Sequence, residues 1–150
     1  MVYRQNDPRW KDTKVGFGHF TIAQKGDLIC SLASIAGGLG FKYEDKLFNP
    51  NSMNQWLKDN KGFVQDDQVV WESLSPLGLD YLGVTDDTDE MAKALAEDKL
   101  LVLYIQGTHY VVGYGVFPGK FLIMDPSAIF DVFVPFPQVV RAYIYEFEHI

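Results

Sequence analysis

The sequence predicts an α+β fold in which a central helix from the N-terminal part packs on an antiparallel sheet from the C-terminal part. Two observations support this fold class. Apolar residues recur at helical spacing at positions 28, 32, 35 and 39. The C-terminal third instead contains short apolar runs separated by turn residues, which is typical of a strand meander. A chain of 150 residues with 47% apolar residues is long enough for a sizeable core, so we expect one domain spanning residues 1–150.

The central helix is predicted to begin at Asp27, which stands where an N-cap belongs, and to end at Gly37 and Gly38. Cys30 then lies in the first turn, where backbone N–H groups have no helical partner and the helix dipole is positive. It is the only cysteine of the chain, so an internal disulfide is impossible. The functional question therefore centres on whether this thiol is a nucleophile or a core residue.

The other elements follow from apolar patterns and helix caps. Residues 1–25 are predicted to form an irregular arm with Trp10 as its aromatic anchor. Further helices are predicted to start at Asn51 or Ser52, at Asp66 or Asp67, and at Thr88. Strands are predicted at residues 81–84, 100–105, 109–115, 120–124, 130–134 and 141–147. Because the run 100–105 is apolar throughout, that strand is expected to be buried on both faces.

Charge and composition narrow the classes of function. The formal net charge of -7 argues against nucleic acid and anionic membranes as partners. No segment reaches the roughly 20 apolar residues of a membrane span. Residues 1–7 lack the apolar core of a signal peptide, so we expect a cytoplasmic or phage-associated protein. The sequence has neither a Cys/His cluster at zinc spacing nor a Gly-rich loop with Lys, and we therefore expect no metal and no other cofactor.

Three residues have the chemistry of a thiol hydrolase: Cys30, His109 and Asp125. The pKa of a thiol in the first turn of a helix is lowered by the dipole, and a nearby His can take its proton. That His needs a carboxylate or amide behind it to fix its orientation. His109 opens one predicted strand and Asp125 follows the next, so a tight hairpin brings their side chains together. Gln24, before Cys30, can fold back over the helix start and offer an amide to an oxyanion.

Each of these residues also has an ordinary structural explanation. A lone Cys in an apolar helix is usually a small buried residue. Asp27 as an N-cap would contribute about 0.5–2 kcal/mol to helix stability. Asp125 precedes Pro126, which is a common turn signal. Four aromatic residues have the properties of groove or core residues, the core being the commoner place: Trp10, Trp56, Trp71 and Tyr110.

The motifs occur in an order that resembles one enzyme family. Gln24 precedes Cys30, the helix continues as Cys-x-x-x-Ser-Ile-Ala, His-Tyr-Val-Val follows at 109–112, and Asp-Pro stands at 125–126. This order resembles papain-like cysteine peptidases. It is most similar to the bacteriocin-processing peptidases (cysteine peptidase family thirty-nine) and their relatives, including cell-wall-lytic members. The arm Tyr-x-Gln-x-Asp-x-x-Trp at 3–10 is similar to the start of many such relatives.

The resemblance implies a papain-like fold and a bacterial or phage peptidase or amidase that hydrolyses an amide bond of a peptide or protein. Cell-wall peptides of peptidoglycan are one candidate class of substrate. The residues matched to the family's roles are Cys30 as nucleophile, His109 as base, Asp125 as orienting group and Gln24 in the oxyanion hole. Gln5, in the arm, is a second candidate for the oxyanion role. Many relatives have Gly immediately before the Cys, whereas this chain has Ile29, which bears on access to the thiol.

A second alignment of the same helix stays open. Residues 31–33 (Ser-Leu-Ala) and 34–36 (Ser-Ile-Ala) are near-repeats, and matching the first to the family puts Asp27 on the nucleophile position. A carboxylate is a poor nucleophile toward amides, so that alignment describes a disarmed enzyme. Three functions therefore remain: a thiol hydrolase, a module that binds peptide, protein or glycan without cleaving it, and an acyl transferase with the same triad. We expect the hydrolase, which requires the Cys30 sulfur within about 4 Å of a His109 nitrogen.

Overall fold

A computed structural model describes residues 2–107, 109–127 and 132–147. The described chain is mixed α+β. Its helices are α1 (Ile22–Lys25), α2 (Asp27–Gly38), α3 (Pro50–Asp59) and α4 (Thr88–Ala96), with 3₁₀ turns at Trp71–Leu77 and Phe136–Gln138. The six strands of the main sheet are β5 (Leu79–Thr85), β6 (Leu100–Ile105), β7 (His109–Phe117), β8 (Lys120–Met124), β9 (Phe133–Pro135) and β10 (Val139–Phe147).

Two small hairpins lie outside this sheet. They pair β1 (Lys42–Tyr43) with β2 (Lys46–Leu47), and β3 (Phe63–Val64) with β4 (Gln68–Val69). The main sheet is antiparallel throughout, in the order β5-β10-β6-β7-β8-β9. The last strand in sequence, β10, therefore lies between β5 and β6, while β6, β7 and β8 form the meander that the sequence predicts.

Side chains on the two faces of the sheet belong to two separate hydrophobic clusters. Val102 and Val112, paired across β6 and β7, join the cluster that contains α2. Leu103 and Val111, the next pair, join the cluster that contains Met91 of α4. Alternate residues of a strand point to opposite faces, so β6 is covered on both sides. The prediction of a doubly buried strand at 100–105 is confirmed.

Helix α2 is the most buried helix of the described chain, with Ile29, Cys30 and Leu32 all inaccessible or nearly so. The predicted N-cap at Asp27 is wrong by one position: Gly26 is the N-cap, and Asp27 is the first helical residue. A Cβ at Gly26 would lie 2.5 Å from the Ile22 Cα, so only glycine lets α1 and α2 follow each other this closely.

The arm before α2 is not irregular throughout, as predicted, because its last residues form the helix α1. Trp10 is its anchor, as predicted: the ring is 2% exposed and Nε1 donates to the Arg4 carbonyl at 2.6 Å. The arm also contacts α2, since the Tyr3 backbone N–H donates to Ser34 Oγ at 3.2 Å.

The helix predicted after Asp66 or Asp67 is wrong. The β3–β4 hairpin and the 3₁₀ turn Trp71–Leu77 occupy this region instead. Gln65 and Asp66 have φ of 48° and 72°, a left-handed pair typical of a tight hairpin turn. The predicted helices at Asn51 or Ser52 and at Thr88 are present as α3, capped by Asn49, and α4, capped by Asp87.

The predicted strand at 81–84 is part of β5, and that at 141–147 is part of β10. The strand predicted at 130–134 starts outside the described residues, and β9 covers Phe133–Pro135. Within the described ranges, none of the helices combines the length and the apolar character needed to cross a membrane.

Candidate functional site

The start of α2 is attached to the start of β7 by two side chains of the helix. Asp27 Oδ2 accepts a hydrogen bond from the Tyr110 backbone N–H at 2.6 Å, and Ser31 Oγ donates to the Tyr110 carbonyl at 3.3 Å. Pairing of β7 with β8 ends at Val112 opposite Met124, so this part of the strand edge is open to the helix. Asp27 and Ser31 are four residues apart and therefore lie on one face of α2.

His109 and Asp125 meet beside this junction. His109 begins β7, and Asp125 directly follows β8, its hairpin partner. The His109 Nε2 lies 3.3 Å from Asp125 Oδ1, and the Asp125 side chain is fully buried. Asp125 Oδ1 also accepts from the backbone N–H and the hydroxyl of Ser127, at 2.9 and 2.7 Å. The predicted encounter of these two side chains is confirmed, and their catalytic roles stay a prediction.

Asp27 belongs to the same constellation. It is 8% exposed, and burial is the largest influence on its carboxyl, raising the pKa above its usual value. Hydrogen bonds from the N–H groups of Tyr110 and Leu28, and the charge of a protonated His109, lower that pKa. A carboxylate at the start of the central helix thus lies within electrostatic reach of the His109–Asp125 pair.

Cys30 lies one turn further into α2 and has 0% exposure. The pKa of its thiol is raised from 9.0 to about 12, mainly by burial and to a smaller extent by the nearby carboxylates of Asp27 and Asp7. A nucleophilic cysteine requires the opposite environment, one that is electropositive and accessible. The surroundings of Cys30 are those of a small core residue.

The two glutamines are in different surroundings. Gln24 is exposed, and its Oε1 accepts from the Thr21 N–H at 3.0 Å in the capping box of α1. Gln5 is half-buried, and its Nε2 donates to the Ile22 carbonyl at 3.2 Å. Its backbone N–H donates to the Pro126 carbonyl at 3.1 Å, so Gln5 lies between α1 and the residue after Asp125. Of the two glutamines, only Gln5 is therefore hydrogen-bonded both to α1 and to the residue that follows Asp125.

A groove of about 370 Å³ opens next to Asp27. Its walls come from the start of α2, the β3–β4 hairpin and the sheet. The lining residues are Val15, Lys25, Asp27, Leu28, Ile29, Asp67, Gln68, Val69, Trp71, Tyr104 and Tyr110. A Lys25–Asp67 ion pair of 3.7 Å joins two of these walls. The mixture of aromatic rings and a few polar groups is typical of a ligand site.

One wall of the groove belongs to a cluster of aromatic rings on the α2 face of the sheet. The Trp71 ring stacks on Tyr143 with centroids 3.7 Å apart and planes within 4° of parallel. Tyr110 lies 5.9 Å from Trp71 and 4.9 Å from Tyr104. Tyr145 Oη donates to the Trp71 carbonyl at 2.7 Å and holds this segment against the sheet. Of the aromatic residues predicted to lie either in a groove or in the core, Trp71 and Tyr110 line the groove, whereas Trp10 is in the core.

Sequence reasoning did not identify Tyr104, Tyr143 or Arg141 as neighbours of this groove. They come from β6 and β10, which are distant in sequence and adjacent in the sheet. The sequence predicts a strand at β10 but does not predict which strands pair with it. Across residues 2–107, 109–127 and 132–147, no group of three or more His, Cys, Asp or Glu side chains is arranged to hold a metal ion.

The site therefore combines a His–Asp pair, a carboxylate at the start of the central helix, and an aromatic groove beside them. The thiol that the sequence suggested as nucleophile is separated from solvent by the core. Comparison of the chain with known protein families, with curated proteins and with solved structures finds no match.

Proposed function

We propose that this chain is a papain-like domain that binds a peptide in its groove without cleaving it, with Asp27 at the position of the nucleophile. One observation carries the proposal. A carboxylate at the start of the central helix interacts with His109, while the only thiol of the chain is buried one turn deeper. This is the second of the two alignments that the near-repeat in the helix allows.

The chemistry of an aspartate at that position is not that of a thiol peptidase. A carboxylate is a weak nucleophile toward an amide. Its negative charge also opposes the oxyanion that develops when an amide carbonyl is attacked, a charge that peptidases stabilise with N–H groups. Asp27 further engages the Tyr110 N–H and the N–H groups at the start of α2. Binding without turnover follows from this exchange of residue.

The geometry of the groove supports a peptide as ligand. Aromatic rings of Trp71, Tyr104 and Tyr110 offer apolar contact area, while Gln68 and Asp67 offer polar partners at the opposite wall. Such a composition suits the alternating apolar and amide character of a peptide chain. Peptide stems of a bacterial cell wall belong to this class of ligand, as do segments of a protein partner.

The thiol hydrolase with the Cys30–His109–Asp125 triad is the second candidate, and the contact between His109 and Asp125 favours it. It requires the Cys30 thiol to become accessible and to lose a proton despite a pKa near 12. An acyl transferase needs the same activated thiol, so the same measurement decides both.

The test replaces the carboxylate by a thiol in a chain that has no other. The variant Asp27→Cys, Cys30→Ala is alkylated with iodoacetamide and with an N-acetyl-dipeptidyl chloromethyl ketone near neutral pH. We expect fast labelling, because the helix dipole and His109 stabilise a thiolate at this position. We also expect the ketone reaction to saturate with concentration, because the peptide part occupies the groove before it reacts.

Two controls make the result specific. His109→Ala in the same background should slow the labelling, and an unreactive peptide of the same sequence should compete with the ketone. Slow, non-saturating labelling in a folded variant would show that position 27 is not the nucleophile position, and the proposed function would then be abandoned.

A further inference from the structure

A single arginine stands at the end of the aromatic cluster, on the side of the groove away from the helix. Arg141 is in β10, where it pairs with Tyr104 of β6, and Tyr104 pairs in turn with Tyr110 of β7. The three residues form a row across neighbouring strands. The row ends at Asp27, whose carboxylate accepts from the Tyr110 N–H. Arg141 and Asp27 therefore lie at opposite ends of one tyrosine pair.

The guanidinium is held in place from two directions. Its Cζ lies 4.6 Å from the centre of the Tyr104 ring, and its Nε donates to the Tyr143 hydroxyl at 2.9 Å. The hydrogen bond to Tyr143, and then the phenol groups of Tyr143, Tyr110 and Tyr104, raise the pKa of the guanidinium. Stacking and a hydrogen bond fix a guanidinium plane, so little conformational freedom remains to be lost when a ligand binds.

The charge of this arginine is not matched by the protein around it. In the part of the chain that the structure describes, Arg141 makes no ion pair with a carboxylate, although the chain has 20 acidic residues and a net charge of -7. Arg141 is half-buried and lies against the ring of Tyr104, which lines the groove. A guanidinium has five N–H donors, and the Tyr143 bond uses one of them.

We propose that Arg141, with Tyr104 and Tyr143, forms a carboxylate-binding subsite of the groove, so that the bound peptide carries a carboxylate one tyrosine pair away from Asp27. The planar fork of the guanidinium matches the two oxygens of a carboxylate. The Tyr143 hydroxyl, which accepts from Arg141 Nε, can donate its own proton to a ligand at the same place. This inference rests on the proposed function, because it names the chemistry of the peptide that the groove holds.

The experiment compares two peptides that differ only in charge. The ¹⁵N-labelled full chain is titrated with N-acetyl-alanyl-alanine and, separately, with N-acetyl-alanyl-alaninamide, and the Arg141 Nε–H and Tyr110 amide resonances are followed by NMR. We expect the acid to bind at least about tenfold more tightly than the amide, as is usual for a hydrogen bond to a charged group. The Arg141 Nε–H resonance should move with the acid alone.

Variants connect the difference to this side chain. Arg141→Gln should remove the preference for the acid, and Arg141→Lys, which keeps the charge and loses the planar fork, should keep only part of it. Tyr143→Phe keeps the charge but releases one of the two restraints, and it should weaken binding of the acid alone.

The inference would be overturned by equal binding of acid and amide, by a preference that survives Arg141→Gln, or by no response to either peptide. Tighter binding of inorganic phosphate than of the acid would also overturn it, because the subsite would then favour a different anion. The proposed function is judged separately by the labelling of a thiol at position 27, which does not use these peptides, so a failure of the subsite is distinguishable from a failure of the proposed function.

Discussion

We predict how fast Cys30, the one thiol of the chain, is alkylated in the unmodified protein. Raising the pKa of Cys30 from 9.0 to about 12 lowers the thiolate fraction near neutral pH by about a thousandfold. A more basic thiolate is also a better nucleophile. With a Brønsted coefficient of about 0.4–0.5, this shift in pKa raises the reactivity of each thiolate by only about twentyfold. The net effect is labelling slower by about fiftyfold, before steric access is considered.

Access lowers the rate further, because the Cys30 side chain has 0% exposure. A reagent reaches it only when α2 separates from the sheet or the chain unfolds, and such openings of a core helix are rare at equilibrium. We therefore expect native protein to react with iodoacetamide at least about fiftyfold more slowly than the same protein in guanidinium chloride.

The assay is intact mass spectrometry of timed, quenched aliquots. The Cys30→Ala variant, which has no thiol, controls for reaction at other groups, and His109→Ala tests for an activating base. The reasoning is refuted if folded wild-type protein is labelled as fast as denatured protein and His109→Ala slows it. That outcome would make Cys30 an activated nucleophile and favour the hydrolase.

Further predictions concern stability, measured by urea unfolding. Burial raises the pKa of Asp27, so the folded state binds this proton more tightly than the unfolded state. Wild type should therefore lose stability relative to Asp27→Asn as pH rises through the unfolded and then the folded pKa, and a relative gain would contradict the assignment. Tyr145→Phe should cost about 0.5–1.5 kcal/mol, because the partly buried hydrogen bond to the Trp71 carbonyl is lost, and an unchanged midpoint would contradict this. Gly26→Ala should destabilise by about 1–3 kcal/mol through a 2.5 Å approach to Ile22, whereas Gly38→Ala, in open space, should stabilise by about 0.5–1 kcal/mol; equal effects would refute the contact argument.

The elements that could be predicted are those specified by local pattern. The periodicity of α2, the apolar run of β6 and the hairpin that joins His109 to Asp125 are all readable from neighbouring residues. The β3–β4 hairpin could not be predicted because Gln65 and Asp66 adopt left-handed conformations, for which neither residue type has a strong preference.

The choice between Asp27 and Cys30 could not be made from sequence for a geometric reason. The two residues are three apart, so they lie on adjacent sides of the same helix, and the near-repeat of 31–33 and 34–36 offers both alignments. Only the packing of α2 on β7 decides which one faces His109. The row of Arg141, Tyr104 and Tyr110 likewise depends on β10 lying next to β6, a neighbour relation that no local pattern specifies.

The hydrogen bond between Asp27 and the Tyr110 N–H has an evolutionary consequence under the proposed function. A catalytic side chain must remain available to its substrate, whereas this carboxylate ties the central helix to the sheet. A hydrogen bond to a charged group typically contributes about 1.5–3 kcal/mol, which is a large fraction of the stability of a small domain. Reversion to a thiol would then reduce stability before it restored any chemistry. If the proposed function is correct, single substitutions at position 27 would therefore rarely restore a thiol, because each would first lower the stability of the fold.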